Sequence, residues 1–220
     1  MAPGLVTIGQ TPRPDLEQVF HTYVPGVTIS LIGALDGLSR EQIHQLRGNA
    51  GECPLLCKLQ DGSVCEVSLP ALTPYIEHAA HRLAEQGAQL IVVLCTGAFP
   101  EIACSVPVLL PGRVLPAVVQ GISRTWHIAV VISVEGQVPF AQAKWEEAGF
   151  RSDTTWASPY LVEHTKKALN ELRHSQAEMV ILDCFGHDDA YRRVFVHAMH
   201  RPVLVAQTLI ARIAGEILSQ

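Results

Sequence analysis

Gly87-Ala88-Gln89-Leu90-Ile91-Val92-Val93-Leu94-Cys95-Thr96-Gly97 and Gln176-Ala177-Glu178-Met179-Val180-Ile181-Leu182-Asp183-Cys184-Phe185-Gly186 are two copies of one short module. They register without a gap at a constant spacing of 89 positions, Cys95 on Cys184 and Gly97 on Gly186. Each reads as a helix end, a strand buried on both faces, a cysteine, and a turn containing glycine. A second pair of segments repeats as well. Pro107-Val108-Leu109-Leu110 and Pro202-Val203-Leu204-Val205 each precede a long apolar stretch. Two similar halves that each deliver a thiol at a strand's end suggest one reaction served by two thiols, one taking a proton from one face of a carbon and one returning a proton to the other.

Working outward, short Val/Ile/Leu-rich runs without polar alternation cover residues 5–9, 28–33, 90–95, 107–110, 128–133, 179–184 and 202–206, with a weaker candidate at 154–157. Helical patterns cover 73–86, 137–148, 160–174 and 188–200, and Thr73-Pro74 and Ser158-Pro159 look like a cap residue followed by a first-turn proline. Strands alternating with helices imply an α/β fold, and the repeat implies two pseudo-symmetric lobes, each a mostly parallel sheet flanked by helices. The expected division is 1–115 for the first lobe, 116–206 for the second, and 207–220 for a C-terminal helix packing back on the first. Residues 36–68 have no counterpart in the second half. They read as an insertion, with a helix capped by Ser39 and a hairpin turning at Gln60-Asp61-Gly62-Ser63.

The 220 residues are 48% hydrophobic and 17% charged, a low charged fraction that points to a covered surface and a homo-oligomer. A net charge of −5 with no cluster of Lys and Arg argues against nucleic acid as a partner. No apolar run approaches the roughly 18 residues of a membrane span, and no signal-peptide pattern opens the chain. Six cysteines in a chain of this length form no evident disulfide framework, so the expected location is the reducing cytoplasm. Neither GxxxxGK[ST] nor GxGxxG occurs, which argues against nucleotide cofactors, and nothing points to another cofactor. Cys53, Cys57 and Cys65 are close in sequence but lack a fourth ligand at zinc spacing, and His78 and His81 share a helix face without a partner. No metal is therefore expected.

In open parallel sheets, ligands collect outside the carboxyl ends of the strands. Cys95 and Cys184 are the candidate catalytic residues there. A following turn that opens a helix would supply N–H groups and a dipole to each thiol and to a substrate carboxylate. Thr96 and Gly97, and Phe185, Gly186 and His187, make up those turns. His187 is positioned to stabilise a thiolate or assist proton transfer. The loop after the first strand carries Gln10 and Arg13, and its second-half counterpart carries Ser133 and Glu135. Arg13 is the candidate fork for a substrate carboxylate, although a proline-stiffened turn with a solvated arginine would look the same. Asp188 and Asp189 read as cap and first-turn residues. Asp183 precedes Cys184 and is expected to face away from the thiol.

Val6-Thr7-Ile8-Gly9-Gln10-Thr11-Pro12-Arg13, Gln142-Ala143-Lys144-Trp145, Ile181-Leu182-Asp183-Cys184-Phe185-Gly186 and Leu209-Ile210-Ala211-Arg212 together resemble the AroM family along nearly the whole chain. More distantly, the duplicated strand-cysteine pattern is similar to the aspartate/glutamate racemase superfamily, with its hydantoin racemases, maleate isomerases and arylmalonate decarboxylases. That resemblance implies a cofactor-independent enzyme with Cys95 as first-lobe and Cys184 as second-lobe thiol, and Thr96 and Gly97 in the carboxylate-binding turn. Two departures matter. The first motif is Cys-Thr-Gly rather than Cys-Asn-Thr, and the second is Cys-Phe-Gly-His rather than Cys-Thr-His. Phe185 in place of a hydroxyl donor favours a substrate with an apolar or aromatic group.

The expected function is a racemase, epimerase or isomerase acting at the α-carbon of a small carboxylic acid through two cysteines. Two alternatives stand beside it: a non-catalytic metabolite-binding or regulatory protein, and a single-thiol decarboxylase or isomerase.

Overall fold

The computed structural model describes residues 2–49, 51–122 and 126–218, and over these the chain forms two compact units. The first comprises Met1–Pro111 with Ile210–Gln220, the second Gly112–Leu209.

In the first unit the elements run β1 (Pro3–Thr7), α1 (Pro14–Tyr23), β2 (Ser30–Gly33), α2 (Arg40–Gln45), β3 (Pro54–Lys58), β4 (Val64–Ser68), α3 (Leu69–Glu85), β5 (Leu90–Val93) and β6 (Val108–Leu109). Four strands form a parallel sheet in the order β2-β1-β5-β6. β1 and β5 lie at its centre and every residue in them is buried, which is why they show no polar alternation. α3 packs on this sheet through Leu72, Ile76, Ala79, Ala80 and Leu83, a stripe at three- and four-residue spacing. It begins at Leu69, four residues earlier than the Thr73-Pro74 signal suggested. Ser68 is the cap, accepting from the Ala71 N–H at 3.2 Å, and Pro70 fills the first turn. Pro74 therefore lies inside the helix.

The insertion contains α2, with Ser39 and Gln42 forming a reciprocal capping box, and an antiparallel hairpin of β3 and β4. Its register sets Cys57 opposite Cys65. The hairpin is fastened to the loop after β1. The Gln10 N–H donates to the Lys58 carbonyl at 3.0 Å, and the Gln60 N–H donates to Gln10 Oε1 at 3.2 Å. The approach is so close that a Cβ built on Gly9 would come within 2.0 Å of the Lys58 carbonyl oxygen.

The second unit runs α4 (Pro111–Gln120), β7 (His127–Ile132), a 3-10 turn (Glu135–Gln137), α5 (Val138–Glu147), β8 (Arg151–Trp156), α6 (Val162–Leu172), β9 (Met179–Leu182), α7 (Asp189–Met199), β10 (Val203–Val205) and α8 (Ala206–Leu218). Its parallel sheet has the order β10-β9-β7-β8. Aligning β7 with β1, β8 with β2, β9 with β5 and β10 with β6 reproduces the order of the first sheet, so the sequence repeat is a repeat of topology. The weak candidate at 154–157 is a full six-residue strand. Its polar residues fit an edge position, where only one side is hydrogen-bonded.

The final helix, α8, belongs from Ile210 onward to the first unit. There the Arg212 guanidinium lies 4.5 Å from the Tyr23 ring centroid, and a Cβ on Gly215 would meet the Tyr23 carbonyl oxygen at 2.3 Å. No described helix is long and apolar enough to cross a membrane.

Candidate functional site

In the first unit, β5 stops at Val93 and Cys95 stands two residues beyond it. The Gly97 N–H donates to the Cys95 sulfur at 3.4 Å, and the thiol residue is 8% exposed. Thr96 is buried beside it. Gly97 is closely walled, since an added Cβ would lie 3.1–3.3 Å from Leu69, Leu55 and Phe99. The expected helix after this cysteine is absent: the segment from Gly97 to β6 is irregular, so no helix dipole acts on the Cys95 thiol. Cys57 of the hairpin joins the same buried cluster. Burial, followed by the nearby Cys65 and Cys95, pushes its thiol well above the usual range.

The loop after β1 is tied down throughout. Gln10 Nε2 donates to the carbonyls of Leu35 (3.0 Å) and Leu38 (3.3 Å). The Thr11 N–H and hydroxyl donate to Asp36, which also accepts from the Gly33 N–H. Arg13 is buried, and its guanidinium forks onto Asp15, with Nε at 2.9 Å and Nη2 at 2.7 Å, while Nη1 reaches Thr7 at 3.4 Å. Burial works against the Asp15 charge, but Arg13 overcomes it and holds the carboxyl below the usual carboxylate range. The two-pronged face of Arg13 thus meets the chain's own carboxylate.

In the second unit, Cys184 again stands two residues beyond its strand, and the Gly186 N–H donates to its sulfur at 3.3 Å. α7 starts only at Asp189, with Asp188 as cap accepting from the Tyr191 N–H at 3.0 Å, so this thiol too lies outside a helix N-terminus. Burial pushes the Cys184 thiol up. The Gly186 N–H, the Ser133 hydroxyl and the His187 N–H oppose that rise, whereas the Asp183 charge adds to it. Ser133 has one hydroxyl proton and also reaches Gln137 Oε1 at 2.9 Å.

The sequence suggested His187 as a group that stabilises a thiolate or assists proton transfer. It is fully buried, and Nε2 lies 2.8 Å from the Ala157 carbonyl, which only accepts, so Nε2 carries the proton. The ring stacks on Tyr191 at 4.6 Å between centroids. Burial lowers its pKa to about 4, so at neutral pH the ring is uncharged. Phe185 is buried with its carbonyl accepting from Gln207 Nε2 at 2.8 Å, and Glu135 is exposed in the 3-10 turn.

Asp183 faces α5, away from the thiol as strand alternation requires, yet its charge is still felt at the sulfur. Its buried carboxylate accepts from Lys144 Nζ at 2.5 Å and from the Trp145 indole N–H at 2.9 Å. Sequence reading gave these three residues no role. The signal was there: an aspartate closing an apolar strand, with Lys144-Trp145 in another of the four characteristic segments. Among the described residues no group of three or more His, Cys, Asp or Glu side chains is arranged to hold a metal ion.

Paired parallel sheets with a cysteine beyond the equivalent strand of each define a protein with the fold of the aspartate/glutamate racemase class. Allantoin racemase from Klebsiella pneumoniae superimposes with a TM-score of 0.65 at 10% identity, covering 100% of this chain and 88% of that one. Glutamate racemase from Francisella tularensis, in complex with D-glutamate, gives 0.67 at 11%, covering 99% and 80%. Aspartate racemase from Picrophilus torridus gives 0.59 at 12%, covering 98% and 94%. No curated protein sequence matches the chain. The AroM protein family model matches residues 3–218, and the chain belongs to that family.

Proposed function

We propose that this protein is a cofactor-independent racemase, epimerase or isomerase acting at the α-carbon of a small carboxylic acid, with Cys95 and Cys184 serving opposite faces of that carbon. The observation that carries the reading is the repeated geometry of the two thiols. Each lies two residues beyond the same strand of its sheet, and each accepts the N–H of a glycine two residues on.

In the proposed step one cysteine, as thiolate, takes the α-proton. The C–H electron pair moves into the bond to the carboxyl carbon, giving an enediolate. The other cysteine, as thiol, donates its proton to the opposite face and is left as thiolate. Which cysteine acts as base depends on the enantiomer bound. The two roles exchange in the reverse direction. Thr96 is the proposed hydroxyl donor, Ser133 is proposed to line the site, and Phe185 and Glu135 are proposed to bear on the substrate's side chain. Gln10 shapes its loop, and Arg13 would engage a substrate carboxylate only by giving up Asp15.

The test is α-hydrogen exchange in heavy water, followed by NMR over amino acids, hydroxy acids, hydantoins and arylmalonates. Exchange lost separately in Cys95→Ala and Cys184→Ala supports two-thiol chemistry. Loss in one variant alone supports a single-thiol decarboxylase or isomerase. The raised Cys184 thiol, with no helix N-terminus beside either cysteine, favours a second reading, a metabolite-binding or regulatory protein. Saturable binding of an acid without exchange would support it.

A further inference from the structure

The two modules differ at the residue just before the cysteine. In the first it is Leu94, buried and apolar, and in the second it is Asp183, equally buried and charged. A buried carboxylate is costly unless paired, and pairing it seldom adds net stability, so its place directly before Cys184 in the chain calls for another explanation. Its partners both come from α5: the Lys144 ammonium at 2.5 Å, with a side chain 13% exposed, and the Trp145 indole N–H at 2.9 Å.

We propose that the Lys144–Asp183 pair governs how readily the Cys184 thiol gives up its proton, making both of them positioning residues for that thiol and giving the duplicated cysteines unequal roles. This rests on the reading of Cys184 as a proton-transferring group. The groups acting on the sulfur are the Gly186 and His187 N–H groups, the Ser133 hydroxyl, the Asp183 carboxylate and the phenol of Tyr191. Asp183 is the carboxylate among them, and the Lys144 ammonium pairs with it at 2.5 Å. A unit charge a few ångströms away in a partly screened interior shifts a proton equilibrium by about tenfold or more. Removing one member of the pair therefore moves the thiol in a direction set by which member is lost.

The experiment is iodoacetamide alkylation of Cys184 in the folded protein, followed at that residue by peptide mass spectrometry across pH. Asp183→Asn keeps an acceptor for Trp145 and leaves the Lys144 cation, so alkylation at pH 7 should rise about tenfold. Lys144→Met keeps the stem and leaves the carboxylate unopposed, so alkylation should fall about tenfold. The double variant should return to within about threefold of the parent. Opposite signs, with recovery in the double variant, support the proposal. Acceleration in both single variants, the mark of a loosened thiol, overturns it, as does no change in Asp183→Asn. If Lys144→Met does not fold, Asp183→Asn and the double variant decide by the same rule. Because the readout is thiol reactivity rather than turnover, it is separable from the α-hydrogen exchange that tests the function.

Discussion

The backbone N–H of Gly186 donates to the Cys184 sulfur at 3.3 Å, the same contact that Gly97 makes to Cys95 at 3.4 Å. The two glycines are nonetheless hemmed in differently. A Cβ on Gly186 would fall 2.5 Å from Pro159 Cγ and 2.9 Å from Pro159 Cβ, in a ring that cannot swing aside. One on Gly97 would meet the ends of leucine and phenylalanine side chains at 3.1–3.3 Å, which yield by small rotations. Gly186→Ala should therefore cost about 1–3 kcal/mol and displace the N–H from the sulfur, with Gly97→Ala costing visibly less. Urea denaturation of both variants checks the order, and equal costs would contradict it.

Gln10 uses both ends of its amide to join the β1 loop to the insertion, donating to Leu35 and Leu38 and accepting from Gln60. Gln10→Ala removes these bonds in a buried setting and should cost about 2 kcal/mol or more. Amide hydrogen exchange should show the loss first in the β3–β4 hairpin. Unchanged hairpin protection would mean that Gln10 is not its fastening.

His187 sets an acid limit on stability. Its folded pKa, about 4, lies below the unfolded value near 6.5, so the unfolded chain binds the proton more readily. Above pH 6.5 both states are neutral at this residue and it imposes no penalty. As the pH falls from 6.5 toward 4, stability declines by roughly 3 kcal/mol from this group, and below that the loss levels off. Melting temperatures between pH 7.5 and 4.5 should show the decline, and His187→Phe should flatten it. A variant with the parent's slope would assign the decline to other groups.

Cys57 should be chemically silent while the protein is folded. It is fully buried in the hairpin, and burial holds its thiol well above the usual range. Half-buried Cys65, opposite it in register, should alkylate first, and Cys57 only on unfolding. Residue-resolved alkylation decides the order.

The parallel sheets were legible because their central strands are continuous apolar runs, and the repeat revealed that there are two. β8 was faint because an edge strand such as Arg151–Trp156 can be polar. α1 escaped because it buries only Leu16 and Phe20, too few to make a stripe. The start of α3 was misplaced because Thr73-Pro74 imitates a cap already supplied by Ser68. Cys95 and Cys184 stood out by duplication, whereas their surroundings did not. No local pattern announces that Arg13 turns onto Asp15, that His187 is held neutral by Ala157, or that Lys144 reaches Asp183 across 39 residues of sequence.

The most direct measurement of the two-thiol reaction follows single turnovers of one enantiomer of an accepted acid in heavy water, reading deuterium at the α-carbon of product and of recovered substrate. Two thiols acting from opposite faces predict deuterium in the product enantiomer with almost none in substrate recovered early. Deuterium entering both at equal rates, or conversion to the opposite enantiomer that persists in Cys95→Ala, would contradict the account.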